Sequence, residues 1–190
     1  MTSSSRHHRL PDMPQVNAPR RQAVVTSVLV LLMVLAATLA KPFMDIPGII
    51  DGSAHAQRSL DLEMFNGFEN PKVAYGPWLN TLGNVALFMP LGAALIALGQ
   101  RMPRFRFGMG GTLLFALLLS LSIETAQYIF ALGFTDLDDL VLNTLGALIG
   151  ALWMSKLHTE QQRRVLRMLR WIAVVALVIS AGGILWGAIA

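Results

Sequence analysis

Five long stretches of the chain contain no Asp, Glu, Lys or Arg. They are residues 22–40, 73–100, 107–123, 140–155 and 171–190. An α-helix rises about 1.5 Å per residue, so each stretch is close to the length that crosses a hydrocarbon core about 30 Å thick. The pattern therefore predicts an all-α fold, namely a polytopic membrane bundle of five transmembrane helices.

The segments between these stretches complete the domain organisation. The first residues contain a Ser run and several Pro and lack apolar periodicity, which predicts disorder. Within the long loop, the stretch from Ser53 to Phe65 suits a short interfacial helix. The expected order is a disordered cytoplasmic arm (1–22), a first transmembrane helix (23–40), an external loop (41–78), a core of three transmembrane helices (79–157), and a basic cytoplasmic segment with the last transmembrane helix (158–190).

Composition agrees with a membrane class and excludes several kinds of site. Hydrophobic residues make up 54% of the chain and charged residues only 14%, whereas soluble domains carry about a quarter charged residues. Five crossings leave no room for a separate soluble catalytic domain. The chain has no Cys, which excludes disulfides, thiolate metal sites and a Cys nucleophile. The four His are scattered over the arm and the loops, so no metal site and no cofactor is expected.

The basic residues indicate how the bundle is oriented. Five crossings place three of the connecting or terminal segments on one side of the membrane, and these hold twelve of the fifteen Lys and Arg. The positive-inside rule then predicts a cytoplasmic N-terminus and an external C-terminus. This orientation accounts for the formal charge of +4, so no nucleic-acid partner is expected. The three basic residues on the other side are Lys41, Arg58 and Lys72.

Polar side chains recur at similar depth in the three central crossings. The second crossing carries Asn84, the third carries Glu124 and Gln127, and the fourth carries Asp139 and Asn143. The i, i+3 and i, i+4 spacings put each pair on one helix face. Two interpretations remain open. The amides hydrogen-bond across helices as structural links around a protonated Glu124, or the five side chains form a binding pocket open to the external face.

Glu124 is the candidate for catalysis. A carboxylate at this depth costs several kcal/mol unless it is paired, hydrated or protonated, so an intramembrane Glu indicates a functional site. No Lys, Arg or His lies in the five crossings. Its expected partners are therefore amides, hydroxyls, water, a cation or its own proton. Asp139, at the helix end, is the second catalytic candidate, whereas Asp136 is expected on an exposed loop.

Small residues and a proline predict where helices pack. Gly146 and Gly150 form a GxxxG in the fourth crossing, a spacing that permits close approach of another helix. We expect the third and fourth crossings to pack through these glycines, and homodimerisation is the alternative. Pro90 in the second crossing has no N–H to donate and so removes a backbone hydrogen bond, which, with Gly92 close by, indicates a kinked or loosened helix.

Three motifs occur in order between residues 79 and 155. Asn84 to Gly92 reads N-x-x-x-F-x-P-L-G, Glu124 to Gln127 reads E-x-x-Q, and Asp139 to Gly150 reads D-x-x-x-N-x-x-G-x-x-x-G. Together they resemble the VanZ-like family of bacterial integral membrane proteins. The resemblance implies a multi-pass protein of the bacterial cytoplasmic (inner) membrane. Because the family's namesake is associated with low-level resistance to the glycopeptide teicoplanin, it also implies a role in the cell envelope.

One position departs from the family pattern. Members often carry an Arg just after the E-x-x-Q helix, where this chain has Gly133. If that Arg pairs with acidic residues, its loss leaves Glu124 and Asp139 less compensated.

Two functions of different classes follow. The first is a non-enzymatic envelope protein that binds a lipid-linked cell-wall component or an amphiphilic antibiotic. Its hydrogen-bonding groups would be Asn84, Gln127 and Asn143. The second is a membrane-embedded enzyme that uses Glu124 as general acid or base on a lipid-linked substrate. The absence of an evident nucleophile favours the first. The expected partners are the lipid bilayer and such a ligand, and the sequence gives no oligomeric state.

Overall fold

The computed structural model describes residues 17–44, 58–69, 75–102 and 108–189. Five α-helices and two short strands make up most of this part of the chain. In order they are α1 (Asn17–Leu39), β1 (Arg58–Asp61), α2 (Gly76–Arg101), α3 (Met109–Phe130), β2 (Gly133–Asp136), α4 (Leu137–Ser155) and α5 (Thr159–Ile189).

All five helices are long and apolar enough to cross a membrane, which confirms the predicted fold class. The lipid-facing surface is rich in large apolar side chains, especially on α3 and on the second half of α5. These side chains suit a hydrocarbon environment, in which the helices satisfy their own backbone hydrogen bonds. Examples are Leu114, Leu118, Leu121, Val175, Val178 and Leu185.

Some helices begin or end at other residues than the uncharged stretches of the sequence predicted. Helix α1 begins at Asn17, so the last residues of the predicted arm are helical, and residues 1–16 lie outside the described part. Helix α2 continues through Pro90. The basic segment and the last crossing form one helix of 31 residues. Its length of about 46 Å exceeds the roughly 30 Å hydrocarbon core, so part of α5 must extend beyond it.

Helices α2 and α4 form the closest packed pair. A Cβ added to Gly146 would clash with the backbone carbonyl of Val85, and one added to Gly150 would clash with that of Met89. Gly92 meets the backbone of Ala147 in the same way. The glycines therefore let two backbones touch. The prediction that Gly146 and Gly150 pack against the third crossing was wrong, because a GxxxG defines a face and not the helix that meets it.

Helix α1 packs against both α2 and α5, and α3 packs mainly against α4. Polar groups join α1 to α5 near the start of both helices. Gln22 Nε2 donates to the carbonyl of Arg163 over 2.9 Å, and Thr26 Oγ1 donates to that of Leu166 over 3.2 Å. Both bonds satisfy polar groups within the bundle.

The two strands pair in parallel, with Arg58 opposite Gly133 and Asp61 opposite Asp136. We call this pair the ribbon. It replaces the interfacial helix predicted from Ser53 to Phe65, of which residues 53–57 lie outside the described part. Residues 58–61 extend because their backbone groups pair with β2. That partner is more than seventy residues away in sequence, so local periodicity did not reveal it.

Candidate functional site

The ribbon lies at the end of the bundle where α1 and α3 end and α2 and α4 begin. We call it the ribbon end. The opposite end, where α2 ends and α5 begins, is called the arginine end. At the ribbon end, β1 packs beside α3, and β2 leads directly into α4. This arrangement brings carboxyl groups from the long loop and from two helices together.

Asp139 joins α2 to α4. Its Oδ1 accepts a hydrogen bond from Asn84 Nδ2, and a second from Asn80 Nδ2 over 3.3 Å. Asn84 and Asp139 were both singled out in the sequence, and the structure brings them into contact. Asn80, one turn before Asn84, completes the group and places two amide donors on one carboxylate.

Glu124 is held by the chain just before α4. Its side chain is only 6% exposed, and Oε2 accepts a hydrogen bond from Asp136 N over 3.0 Å. Thr135 Oγ1 donates to the Glu124 backbone carbonyl over 3.2 Å. No described residue donates a hydrogen bond to Oε1. Glu124 is thus fixed by one carboxylate oxygen while the other has no such partner.

Three of the described charged residues act on the Glu124 carboxyl group. Asp139 and Asp136 add negative charge, and Lys41, just after α1, adds positive charge. Lys41 also acts on Asp139. Lys41 was not predicted as a partner of Glu124, because it follows the first uncharged stretch directly and so lies outside the crossings.

Asp136 is half-buried, contrary to the expectation of an exposed loop. Its Oδ1 accepts from Asp138 N over 2.8 Å, so Asp136 is the N-cap of α4. Burial, and then the negative charges of Asp138 and Asp61, raise the pKa of the Asp136 carboxyl, although the bond from Asp138 N opposes this. Asp136 thus caps α4 and also lines both of the cavities described below.

Two further carboxylates order the segment after β1. Both oxygens of Asp138 accept from Phe65 N, at 3.0 and 2.9 Å. Both oxygens of Asp61 accept from Asn66 Nδ2, at 3.0 and 2.8 Å, and this bonding lowers the pKa of Asp61. These residues were missed. The Asp-rich start of α4 was a usable signal, because acidic residues favour helix N-termini.

Gln127 and Asn143 lie deeper in the bundle. Gln127 Nε2 donates to the carbonyl of Thr38 over 3.3 Å, and Asn143 Nδ2 donates to Ser120 Oγ over 2.9 Å. These bonds link α3 to α1 and α4 to α3. Their acceptor oxygens, Gln127 Oε1 and Asn143 Oδ1, are buried and have no hydrogen-bond partner within residues 17–44, 58–69, 75–102 and 108–189. A ligand-binding role for the two amides stays a prediction.

Two cavities adjoin at the ribbon end and share Leu60, Leu62 and Asp136. The larger, of about 780 Å³, is called the polar cavity because it has four carboxylates and two amides among its lining residues, although apolar side chains line it as well. The carboxylates and amides are those of Asp61, Glu63, Asp136, Asp139, Asn66 and Asn80. The smaller, of about 270 Å³, is lined mainly by apolar groups and contains Glu124 and Tyr128. Gln127 and Asn143 line neither of these two cavities.

The backbone conformation at position 133 suits the glycine that stands there in place of the arginine of the family pattern. Its φ of +146° favours glycine. Opposite it on the ribbon lies Arg58, which donates to the carbonyls of Tyr128 and Ile129 over 2.8 and 2.9 Å. Its guanidinium thus satisfies the end of α3, as basic side chains near helix C-termini commonly do.

The site has polar groups that can accept hydrogen bonds. Its described residues form no evident metal centre. Within the described residues, no group of three His, Cys, Asp or Glu side chains is arranged to hold a metal ion. The arrangement can accept hydrogen bonds or positive charge in the polar cavity. Through Glu124 it can also hold a proton beside an apolar pocket.

The chain is similar in sequence to known proteins over most of its length. A family profile described as VanZ/LLP1 matches residues 27–158. Over 128 residues the chain is 31% identical to Protein VanZ of Enterococcus faecium, covering 65% of this chain and 70% of that protein. No solved structure matches the chain. The matched region includes α2, α3 and α4 with every carboxylate of the site, and the chain therefore belongs to the VanZ/LLP1 family of multi-pass membrane proteins.

Proposed function

We propose that this protein is a cell-envelope membrane protein that binds an amphiphilic envelope component at the ribbon end. The ligand is a lipid-linked cell-wall component or a glycopeptide antibiotic, and binding contributes to glycopeptide tolerance. The observation that supports the proposal best is the pair of adjoining cavities, one polar and one apolar. An amphiphile needs both environments side by side.

The polar cavity favours the sugar or peptide part of such a ligand. Carboxylate oxygens are acceptors only, and charged acceptors form stronger hydrogen bonds than neutral ones. Hydroxyl, amide and ammonium groups of a glycopeptide or a cell-wall precursor supply the matching donors. Asp61 and Asp139 are already oriented by Asn66 and by Asn80 and Asn84, so little ordering is left for the ligand.

The apolar pocket favours an acyl or isoprenoid chain. Leu121 and Leu140 line it from α3 and α4, and Leu60 and Leu62 line it from the ribbon and the residues after it. Leu121 is half exposed on the lipid-facing side of α3. A chain bound here can therefore continue into the bilayer, and each methylene removed from water contributes about 0.8 kcal/mol.

The second candidate is a membrane enzyme, and the position of Glu124 favours it. A buried carboxyl with one oxygen unpaired among the described residues, in the apolar pocket and beside Asp136 and Asp139, suits a general acid or base. Glu124 would protonate or deprotonate a group of the ligand, with Asp139 as its counterpart at the cavity surface. In this alternative the ionisation of Glu124 is essential.

Complementation tests the proposed function and separates the candidates. The gene is deleted in its host, and survival under glycopeptide is measured after return of wild type, Glu124→Gln or Asp139→Asn. Binding requires the Asp139 charge, so we expect Asp139→Asn to lose tolerance. Loss by Glu124→Gln as well, at normal protein level, supports acid or base chemistry, whereas full rescue by Glu124→Gln rules it out.

Glu69→Gln is the matched control, because Glu69 is exposed and lines neither cavity. It should rescue fully. Full tolerance restored by Asp139→Asn, or no change in tolerance on deletion, would contradict the proposed function.

A further inference from the structure

A second polar cluster lies at the arginine end, remote from both cavities. Arg101 is the last residue of α2, and Arg163 lies in the first turns of α5. The preceding residues Gln100 and Gln162 hydrogen-bond over 2.9 Å, so the two arginines flank one contact between α2 and α5, where the positive charge of Arg163 acts on Arg101. Because like charges repel, this placement is unfavourable unless an anion lies near both groups.

Each arginine has a nitrogen that meets no acceptor among the described residues. Arg101 Nη1 donates to the carbonyl of Ala97 over 2.8 Å, and Arg163 Nη1 pairs with Glu160 at 3.1 Å. Arg101 Nη2 and Arg163 Nε are buried and have no hydrogen-bond partner in the part of the chain that the structure describes. Donors of this kind are costly to leave unpaired, and the cost is greater for charged groups.

The neighbouring polar groups are already in use. Gln162 Nε2 donates to Gln100 Oε1, and it also donates to the carbonyls of Met154 and Leu157, over 2.9 to 3.2 Å. The carbonyl of Arg163 accepts from Gln22. In the described parts of the segments at this end, Glu160 is the only acidic residue, and its side chain is 74% exposed. The cluster therefore has an excess of donors and positive charge.

We infer that Arg101 and Arg163 form a binding site for a phosphate group at the arginine end. A phosphate presents several acceptor oxygens, and guanidinium groups bind them through parallel hydrogen bonds. The Arg163 side chain is 42% exposed, so the cluster is open on one side. Basic clusters between helices at a membrane surface commonly bind lipid headgroups. The phosphate comes from an anionic lipid of the adjacent leaflet or from a free phosphate ion.

Native mass spectrometry of the full chain from nanodiscs tests the site. The nanodiscs contain equal amounts of phosphatidylglycerol and phosphatidylcholine, and the bound lipid of each kind is measured. We expect wild type to retain phosphatidylglycerol in preference to phosphatidylcholine. The double variant R101Q/R163Q should reduce that preference about tenfold. The matched control R164Q/R167Q removes the same charge from exposed positions of α5 and should behave as wild type.

A second arm separates the two sources of phosphate. Inorganic phosphate is added to the protein in an uncharged detergent. A rise in melting temperature in wild type, absent in R101Q/R163Q, assigns the site to free phosphate. Lipid preference without such a rise assigns it to a headgroup.

Three results would overturn the inference. The first is that wild type shows neither the lipid preference nor the rise in melting temperature. The second is that R164Q/R167Q loses as much of these effects as R101Q/R163Q does. The third is that R101Q/R163Q shows the same effects as wild type. If the double variant does not fold, R101Q and R163Q are each compared with R164Q, and equal retention overturns the inference. The site is remote from the ribbon end, so its failure leaves the proposed function untouched.

Discussion

Single residues of the ribbon end show which contacts a sequence can reveal. Asn84, Glu124 and Asp139 could be singled out because polar residues in apolar helices are rare and costly, and the structure places all three beside the cavities or their walls. Lys41 and Asp136 could not be found in that way. They lie outside the crossings, where a charged residue is ordinary, and only the chain path brings them to Glu124.

Asp136 predicts a pH dependence of stability. Burial raises its pKa in the folded protein, so the folded state binds a proton more readily than the unfolded state. The stability that this proton contributes is fully present below the unfolded pKa, near 3.9, and is lost as pH rises through the raised folded pKa. We expect the melting temperature in detergent to fall across that window.

The variant Asp136→Asn isolates this effect, because Asn also caps helices well. It should flatten the fall in melting temperature while α4 stays folded. Glu69→Gln is the control. Glu69 is exposed and is not among the charges that act on Asp136, so its removal should not flatten the curve. An unchanged slope in Asp136→Asn would show that Asp136 does not titrate as described.

At the scale of elements, the sequence predicted helices well and their partners poorly. The GxxxG of α4 correctly indicated close approach, but the partner is α2. The ribbon was missed altogether. Its strands have four residues each, too few for a clear alternation of apolar and polar side chains, and their pairing depends on contacts distant in sequence.

The α2–α4 contact predicts an asymmetry between two glycines. Gly150→Leu would force apart backbones that now touch at Met89 and should lower the melting temperature strongly. Gly182→Leu introduces the same side chain on α5, where nothing lies within 4 Å of an added Cβ. It should leave the melting temperature nearly unchanged. Equal effects of the two substitutions on melting temperature and yield would argue against the α2–α4 contact.

For the whole molecule, charge and hydropathy were sufficient to predict the five-helix bundle and its two unlike ends. The arginine end gathers Arg101, Arg163 and their neighbours, and the ribbon end gathers the carboxylates. Such long-range sorting is visible in sequence because each uncharged stretch must cross the same apolar layer. The cavities were not predictable, since they form between the ribbon and the helix ends.

The orientation of the bundle stays a prediction with a direct test. Twelve of the fifteen basic residues lie in the sequence segments 1–22, 100–106 and 156–170, which the positive-inside rule places in the cytoplasm. An enzyme active only outside the cytoplasm, fused after Ala190, should therefore be active. Fluorescence from a fusion at the same position that folds only in the cytoplasm would instead show the opposite orientation.

The central claim is that the paired cavities bind an amphiphile, and titration calorimetry with the full chain in nanodiscs tests it most directly. The probes are an acylated glycopeptide, the same glycopeptide without its acyl chain, and a lipid-linked cell-wall precursor. Empty nanodiscs give the baseline.

We predict that wild type binds the acylated glycopeptide or the precursor above this baseline. Asp61→Asn with Asp139→Asn should weaken binding about tenfold, or roughly 1.4 kcal/mol, while Glu69→Gln should not change it. Loss of the acyl chain should weaken glycopeptide binding to a similar degree. Binding of neither amphiphile above empty nanodiscs, or equal binding by wild type and the Asp61 and Asp139 variant, would contradict the account.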